Sequence, residues 1–386
     1  MTITFVSNYI NHHQIPFSNA CYDRLCDDYH FIQTEPMEDE RVAMGWDVQA
    51  AKLPYVHCMY EEEDFCKKLI MESDIAVFGW TKREDVIEER LQTGKPVIRV
   101  SERLYREGQW KAISPRGLLH KYKEHTKYRN GQVCLFCAGA YVASDFHIIR
   151  AYPNKMFCFG YFPETVLYSE EEFTNLKKDT DEVQLVWAGR FMPLKHPEFV
   201  VKLAEELRRE DYRFHIHMAG SGEMEEEIKQ EIEKKGMESF FTFYGYTKPK
   251  EVRSIMEKCH IHLFTSNYLE GWGAVVNEAM NSGCAVVASA QAGAVPYLIR
   301  HGENGLIYKG GSYEDFAAQV KRLLQDSKFC GRLGKEAYAT ITKLWNAEHA
   351  AEEFLRFCKD FSEGRIVPAK EGPLSPAPII SPKSGE

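Results

Sequence analysis

Short apolar runs alternate with polar, helix-patterned stretches along most of this chain, and that alternation constrains the fold more than any other feature. A strand buried on both faces reads as a continuous apolar run, and parallel strands need a crossover, usually a helix, to join them. In the first half ITFVSN, DIAVFGW, PVIRVSE and KMFCFGY read as such strands. EEDFCKKLIME and REDVIEERLQTG are the amphipathic helices among them, the second stopped by Gly94. The second half repeats the pattern with QLVWAGR, RFHIHMAG, FTFYG, IHLFTS and CAVVAS, separated by HPEFVVKLAEELRRE, EMEEEIKQEIEKKG, PKEVRSIMEKC and AVVNEAMNSG. The class is α/β, and two halves of this kind make two Rossmann-like, doubly wound domains.

A chain of 386 residues suits two cores better than one. Residues 1–165 read as the first domain. Residues 166–182, charged and without periodicity, read as a linker. The second domain is expected over 183–345, a closing amphipathic helix over 346–362, and a disordered tail over 363–386, where proline, serine and glycine accumulate.

Composition excludes several classes. A net charge of −9 gives no general basic face for nucleic acid. No run of eighteen apolar residues could span a bilayer, and the opening residues lack a basic leader and cleavage site, so the expectation is a soluble, cytoplasmic protein. The 11 cysteines are odd in number and scattered, which suits reduced thiols. The C-x-x-C of Cys134 and Cys137 lies inside the apolar run VCLFCAGAYV and reads as packing rather than metal or redox chemistry.

In a doubly wound sheet the ligand sits beyond the carboxyl ends of the strands, so the residues after each apolar run carry the functional information. Gly189 and Arg190 follow LVWA, and Lys195 comes shortly before a helix opened near Pro197. Together they make an anion site. Gly220-Ser221-Gly222 follows HIHMA, again ahead of a helix. The segment SNYLEGWGAVVNEAMNSG places Glu270 in a loop, frees the backbone around Trp272 with Gly271 and Gly273, and then opens a helix that carries Glu278. Such a loop can offer amides, including those near Gly273 and Ala274, to a diphosphate while Glu278 accepts from a diol.

These residues resemble the donor domain of glycosyltransferase family 4, the glycosyl transferases group 1, over residues 183–310. Gly189, Arg190 and Lys195 are followed in order by Glu270-Gly271-Trp272-Gly273 and by Glu278-Ala279-Met280. NSGCAVVAS and HGENGLIY are similar to the family's closing strand and turn. The resemblance implies a GT-B fold, two Rossmann-like domains facing across a cleft, and a retaining transfer from a nucleotide diphosphate sugar, with a uridine diphosphate hexose favoured. It implies that Arg190 and Lys195 hold the diphosphate, that Glu270 contacts the donor sugar and that Glu278 binds the ribose. No cofactor and no metal are implied beyond the donor itself, and the acceptor would be a glycan or a lipid-linked intermediate of cell-surface polysaccharide or glycoconjugate assembly. Two other functions stay open: a nucleotide-sugar 2-epimerase on the same fold, and a non-catalytic subunit of a glycan-assembly complex.

The acceptor side belongs to the first domain. Asn11, His12 and His13 follow the first strand and would face the cleft, and Glu102 closes PVIRVSE where many members of the family carry a histidine. The D-x-D of Asp179-Thr180-Asp181 stands at the amino end of a strand, away from the expected ligand, so it is not read as a metal site. From Arg103 to Arg129 there are eight lysines and arginines against Glu107 and Glu124, with Trp110, Leu118, Leu119 and Tyr122 interleaved. A peripheral contact with the inner face of a membrane and a solvated basic helix are both open there.

Overall fold

The computed structural model describes residues 1–38, 52–177 and 181–381. The chain forms two compact units, residues 1–164 with 344–381, and residues 165–343.

The first unit opens with β1 (Ile3–Ser7), α1 (Ile15–Leu25), β2 (Tyr29–Gln33) and β3 (Val56–Cys58). It continues with α2 (Glu63–Glu72), β4 (Ile75–Phe78), α3 (Glu84–Gln92), β5 (Val97–Ser101), α4 (Pro115–Lys121), β6 (Val133–Ala138), α5 (Val142–Ile148) and β7 (Met156–Phe159). The seven strands form one parallel sheet in the order β3-β2-β1-β4-β5-β6-β7. Inward of the edge strand β3 the sheet is buried on both faces, which is why most of its strands are apolar runs. Val6, Ile32, Phe78, Val97 and Leu135 share one cluster with residues of α2, α3 and α5. On the opposite face Phe5 stacks on Phe31 at 5.3 Å, and Phe17 of α1 meets Phe354 of the C-terminal helix Ala347–Ser362 at 5.4 Å. That helix therefore completes the first unit, packing beside α1.

Cys134 and Cys137 are both buried in β6 and both free. Three residues apart on a strand, they point to opposite faces and could not grip one ion together.

The expectation of a disordered tail from 363 is corrected by the structure as far as Ser381. After the C-terminal helix the chain runs back along β7. Cys158 N–H donates to the Ser375 carbonyl at 2.8 Å, Leu374 N–H to the Cys158 carbonyl at 2.8 Å, and Ala377 N–H to the Met156 carbonyl at 2.9 Å, with Phe157 and Pro376 as an antiparallel bridge. Ala369 and Leu374 are buried. The physical reason is the sheet edge: β7 would otherwise present unpaired backbone groups, and a strap bonded through its main chain needs no apolar periodicity.

The second unit takes in the stretch read as a linker. Residues 170–176 there are a helix, α6 (Glu170–Leu176), started by a capping box between Ser169 and Glu172. Phe173 packs on Tyr338 at 4.6 Å. Then come β8 (Val183–Ala188), α7 (Pro197–Arg209), β9 (Phe214–Ala219), α8 (Glu225–Lys234), β10 (Phe241–Gly245), α9 (Pro249–Met256), β11 (Ile261–Phe264) and α10 (Val275–Asn281). The unit closes with β12 (Ala285–Ser289), α11 (Val295–Leu298), β13 (Leu306–Tyr308), α12 (Tyr313–Gln325) and α13 (Ser327–Lys343). The six-stranded sheet has the order β10-β9-β8-β11-β12-β13, parallel throughout. Strand order thus reverses between β8 and β11. Ligand crevices in open α/β sheets form at the carboxyl ends of such a pair, because the crossovers leave them in opposite directions.

Candidate active site

The loops after β8 and β11 meet at this switch point. Gly189 continues β8 and pairs with the neighbouring loop, its N–H donating to Ala219 O at 3.0 Å, while Phe191 N–H donates to Ser221 O at 3.0 Å. Gly220 lies so close beneath this loop that a Cβ on it would stand 1.9 Å from the Gly189 carbonyl oxygen, and a Cβ on Gly222 would stand 2.5 Å from the Phe191 oxygen. Both glycines are there because two backbones touch. A short turn, Pro193–Lys195, leads to His196, whose φ of 46° reverses the chain into α7. The Lys195 stem lies over Gly189, within 3.7 Å of where a Cβ would be.

Lys195 donates to the Glu270 carboxylate, joining the β8 loop to the β11 loop. Thr265, just past β11, holds the same junction: Trp187 Nε1–H donates to its hydroxyl at 2.9 Å, and that hydroxyl donates to the Lys195 carbonyl. Asn267 N–H donates to Leu194 O at 2.9 Å. The Asn267 side chain then accepts from Leu269 N–H at 2.9 Å, turning the chain so that Glu270 faces Lys195. Thr265, Asn267 and Trp187 escaped the sequence reading, although their places at strand ends would have been the signal.

Gly273 has φ of 89°, and a Cβ on it would come within 2.7 Å of the Phe264 ring. Trp272 is buried, its Nε1–H on Asn277 Oδ1 at 2.9 Å, and the turn is sewn down by Gly293 N–H to Gly271 O and Ala294 N–H to Trp272 O, each 3.0 Å. Trp272 therefore fixes the loop from below. Ala274 is the N-cap of α10, and Glu278 lies in its first turn. Burial pushes the Glu278 carboxyl up to about 7, opposed by the Arg253 guanidinium. Arg253, another residue missed in the sequence, donates to Asn281 Oδ1 at 2.6 Å. Arg190 is exposed and enters no ion pair among the described residues.

In the first unit the switch point lies between β1 and β4, and the β1 loop meets Trp80, where Asn8 N–H donates to Trp80 O at 3.1 Å. Asn11 shapes this loop by accepting from His13 N–H at 3.0 Å. The His12 and His13 rings lie 3.8 Å apart, and His13 lies 5.9 Å from the Tyr161 ring. Burial lowers both imidazoles, His12 to about 4. Tyr161 donates to Glu102 at 2.8 Å and stacks on Trp80 at 5.4 Å. The structure thus brings Asn11, His12, His13 and Glu102 into one neighbourhood around Tyr161. Arg106 pairs with Glu102 on its other side.

The strand-end glycines, cation and carboxylates of the second unit lie inside a recognisable stretch. Residues 169–340 match the family model of the glycosyl transferases group 1. The chain is 26% identical over 167 residues to the poly(ribitol-phosphate) alpha-N-acetylglucosaminyltransferase of Staphylococcus aureus, covering 43% of this chain and 33% of that one. It is 30% identical over 157 residues to the D-inositol 3-phosphate glycosyltransferase of an Arthrobacter species, covering 40% and 37%. The chain thus matches well under half the length of these relatives. Among solved structures, HepE of Anabaena in complex with UDP superposes with a TM-score of 0.67 at 14% identity, over 92% of this chain and 100% of HepE. TarM of Staphylococcus aureus superposes with a TM-score of 0.56 at 18% identity, over 76% and 56%. The fold is therefore GT-B, with two Rossmann-like doubly wound units. Among the described residues no helix is long and apolar enough to cross a membrane.

Proposed function

We propose that this chain is a retaining glycosyltransferase that moves a hexose-type sugar from a nucleotide diphosphate, in first place a uridine diphosphate, onto an acceptor hydroxyl in cell-surface polysaccharide or glycoconjugate assembly. The observation that carries this reading is the Lys195–Glu270 pair, set by two loops at the carboxyl ends of β8 and β11 with Glu278 on the following helix. The diphosphate lies along Gly189, Arg190 and Lys195, with the amides of Gly273 and Ala274 toward its distal phosphate. Gly220, Gly222 and Gly271 keep the backbone low beneath it. Glu270 holds the sugar, and Glu278 accepts from the ribose diol.

In the reaction the bond from the anomeric carbon to the phosphate oxygen breaks, a bond to the acceptor oxygen forms on the same face, and the hydroxyl proton leaves with the diphosphate or to solvent. Negative charge grows on the departing nucleotide, so Arg190 and Lys195 stabilise the transition state more than the bound donor. They do so without a metal, and the donor is the sole small molecule required. The acceptor, a glycan or lipid-linked glycan, is held by Asn11, His12, His13 and Glu102 of the first unit. HepE crystallised with UDP supports the uridine nucleotide.

The test is a thermal-shift comparison of UDP, GDP and ADP with their sugars, followed by product analysis with glycan and lipid-linked acceptors. The expected result is the largest stabilisation by a uridine nucleotide, by mass action, and a glycoside with the donor's anomeric configuration. Conversion of the donor into its epimeric nucleotide sugar, with no transfer to an acceptor, would replace transferase by epimerase. Failure of every nucleotide to stabilise the chain would overturn the site.

A further inference from the structure

We propose that the segment 103–129 of the first unit docks on an anionic membrane surface, with Trp110, Leu118, Leu119 and Tyr122 entering the headgroup layer. These four side chains are 68, 40, 57 and 53% exposed, a concentration of large apolar groups in thirteen positions that the fold leaves uncovered.

The local structure holds them outward. Ser114 caps α4 by accepting from Gly117 N–H, and Pro115 opens the helix. A π-helical turn follows, Tyr122–Thr126, in which Lys127 N–H donates to Tyr122 O at 2.7 Å. The wider turn changes the helical phase and carries His125 inward. There it is 5% exposed, shares a hydrogen bond with the Tyr152 hydroxyl at 2.9 Å and meets the Phe146 ring edge-on at 5.0 Å. The segment is thus anchored from beneath through His125. Its outer side carries Leu118, Leu119 and Tyr122, spaced as neighbours on one helical face.

Charge identifies the occupant. Eight lysines and arginines against two glutamates stand here in a chain whose net charge is −9, so the segment carries an excess of positive charge even after its ion pairs are counted. Arg103 is paired with Asp145, Arg106 with Glu102, Lys111 with Glu107, Lys121 with Glu124 and Lys127 with Glu88. Arg116, Lys123 and Arg129 enter no ion pair among the described residues and are exposed, Lys123 in a surface hollow that Glu84, Glu88 and Glu124 also line. Exposed aromatic and leucine side chains in a segment that also carries three unpaired cations match the interface of a bilayer with anionic headgroups. A second copy meeting the segment face to face would oppose these cations to themselves.

The contact does not depend on the transfer chemistry, so vesicles test it directly. The full chain is floated with vesicles of phosphatidylcholine alone and of phosphatidylcholine with about one-third phosphatidylglycerol, at low and high salt. The expected result is binding to the anionic vesicles that weakens with salt. It falls about tenfold or more in Trp110→Ser with Leu119→Ser, and likewise in Arg116→Glu with Lys123→Glu, while all variants melt near the wild type. No binding by the wild type to anionic vesicles at low salt, or binding unchanged in both double variants, would overturn the proposal. So would self-association that the apolar variant abolishes in the absence of vesicle binding.

Discussion

Lys195 and Glu270 stand 75 positions apart in the chain and form one ion pair, each side chain only 16% exposed. Their contact joins the loops on either side of the switch point. Under the proposed function Lys195→Ala removes a cation from the departing diphosphate, and it leaves Glu270 without its ion-pair partner. Transfer should fall by about a hundredfold or more, the loss typical of a missing charge-stabilising donor. Because the two residues act as a unit, Lys195→Ala with Glu270→Ala should lose less than the product of the single losses. Steady-state kinetics of the three variants give the answer, and fully multiplicative losses would mean that the pair is not coupled in the reaction.

Glu278 makes a pH-dependent contribution whose sign follows from burial. Its carboxyl is held at about 7 in the folded protein against an ordinary value of 4.5. Below 4.5 both states are protonated and the residue contributes no pH dependence. Between 4.5 and 7 the unfolded chain releases the proton that the folded chain keeps, so stability falls as pH rises, levelling above 7 at a cost of at most about 3 kcal/mol. Glu278→Gln should therefore raise the melting temperature relative to wild type at pH 8 and not at pH 4, while shrinking the stabilisation given by UDP. Nucleotide affinity of the wild type should rise through pH 7 as the carboxylate becomes able to accept from the ribose. Equal pH–stability profiles for the two proteins would remove the buried carboxyl from the account.

How much of this was legible beforehand depends on what each residue is bonded to. β11, β12 and the carboxyl half of β8 lie buried on both faces, so LVWA and CAVVAS announced themselves as apolar runs. Gly189, Lys195, Glu270 and Glu278 follow such runs, so their places beyond the strand ends were legible by position, while their roles came only from the family resemblance. β3 is short and only half-buried along its length, which leaves too little apolar signal. The periodicity of the C-terminal helix says that one face is covered, not that α1 of the first unit covers it. Residues 374–377 are held by backbone bonds to β7, a pattern that a composition rich in proline and serine conceals. Asp179 and Thr180 of the D-x-D lie outside the described residues.

Gly220 has φ of 126° and no room for a side chain, since its Cβ would overlap the Gly189 oxygen. Gly220→Ala must push the β8 loop away and strain its own backbone, so the predicted effect is a lower melting temperature together with a raised donor KM. A control, Gly236→Ala, keeps a positive φ of 59° with no atom within 4 Å of the new Cβ, and should carry only the modest backbone cost. Equal donor KM values for the two variants would separate Gly220 from the phosphate loop.

Metal independence is expected from the placement of charge. Asp181 lies two residues before β8, at the amino end of the strand whose carboxyl end leads to Arg190 and Lys195. It cannot share a cation with a diphosphate at that opposite end. Transfer should persist in excess EDTA and in Asp179→Ala with Asp181→Ala. Loss on chelation, restored by magnesium or manganese, would overturn the assignment.

The strap over β7 gives the last prediction. Leu374 is fully buried, and the main chain around it exchanges hydrogen bonds with Cys158 through Leu374 and Ser375 at 2.8 Å. Upstream, Ala369 N–H closes a turn onto the Leu374 carbonyl at 3.1 Å, and Gly372 has φ of 72°, which keeps the turn tight. Truncating Leu374 to alanine leaves a cavity with little freedom to collapse and should cost about 2 to 5 kcal/mol. Ending the chain at Gly364 removes that apolar contact and also exposes the β7 edge, whose N–H and C=O groups then form a template for pairing with other chains. The truncated protein should therefore melt earlier than Leu374→Ala and aggregate on heating, whereas the point variant should unfold reversibly because its strap backbone still covers the edge. Calorimetry with light scattering separates the two effects. A truncated chain that melts with the wild type would mean that the strap rests on β7 without contributing to the stability of the first unit.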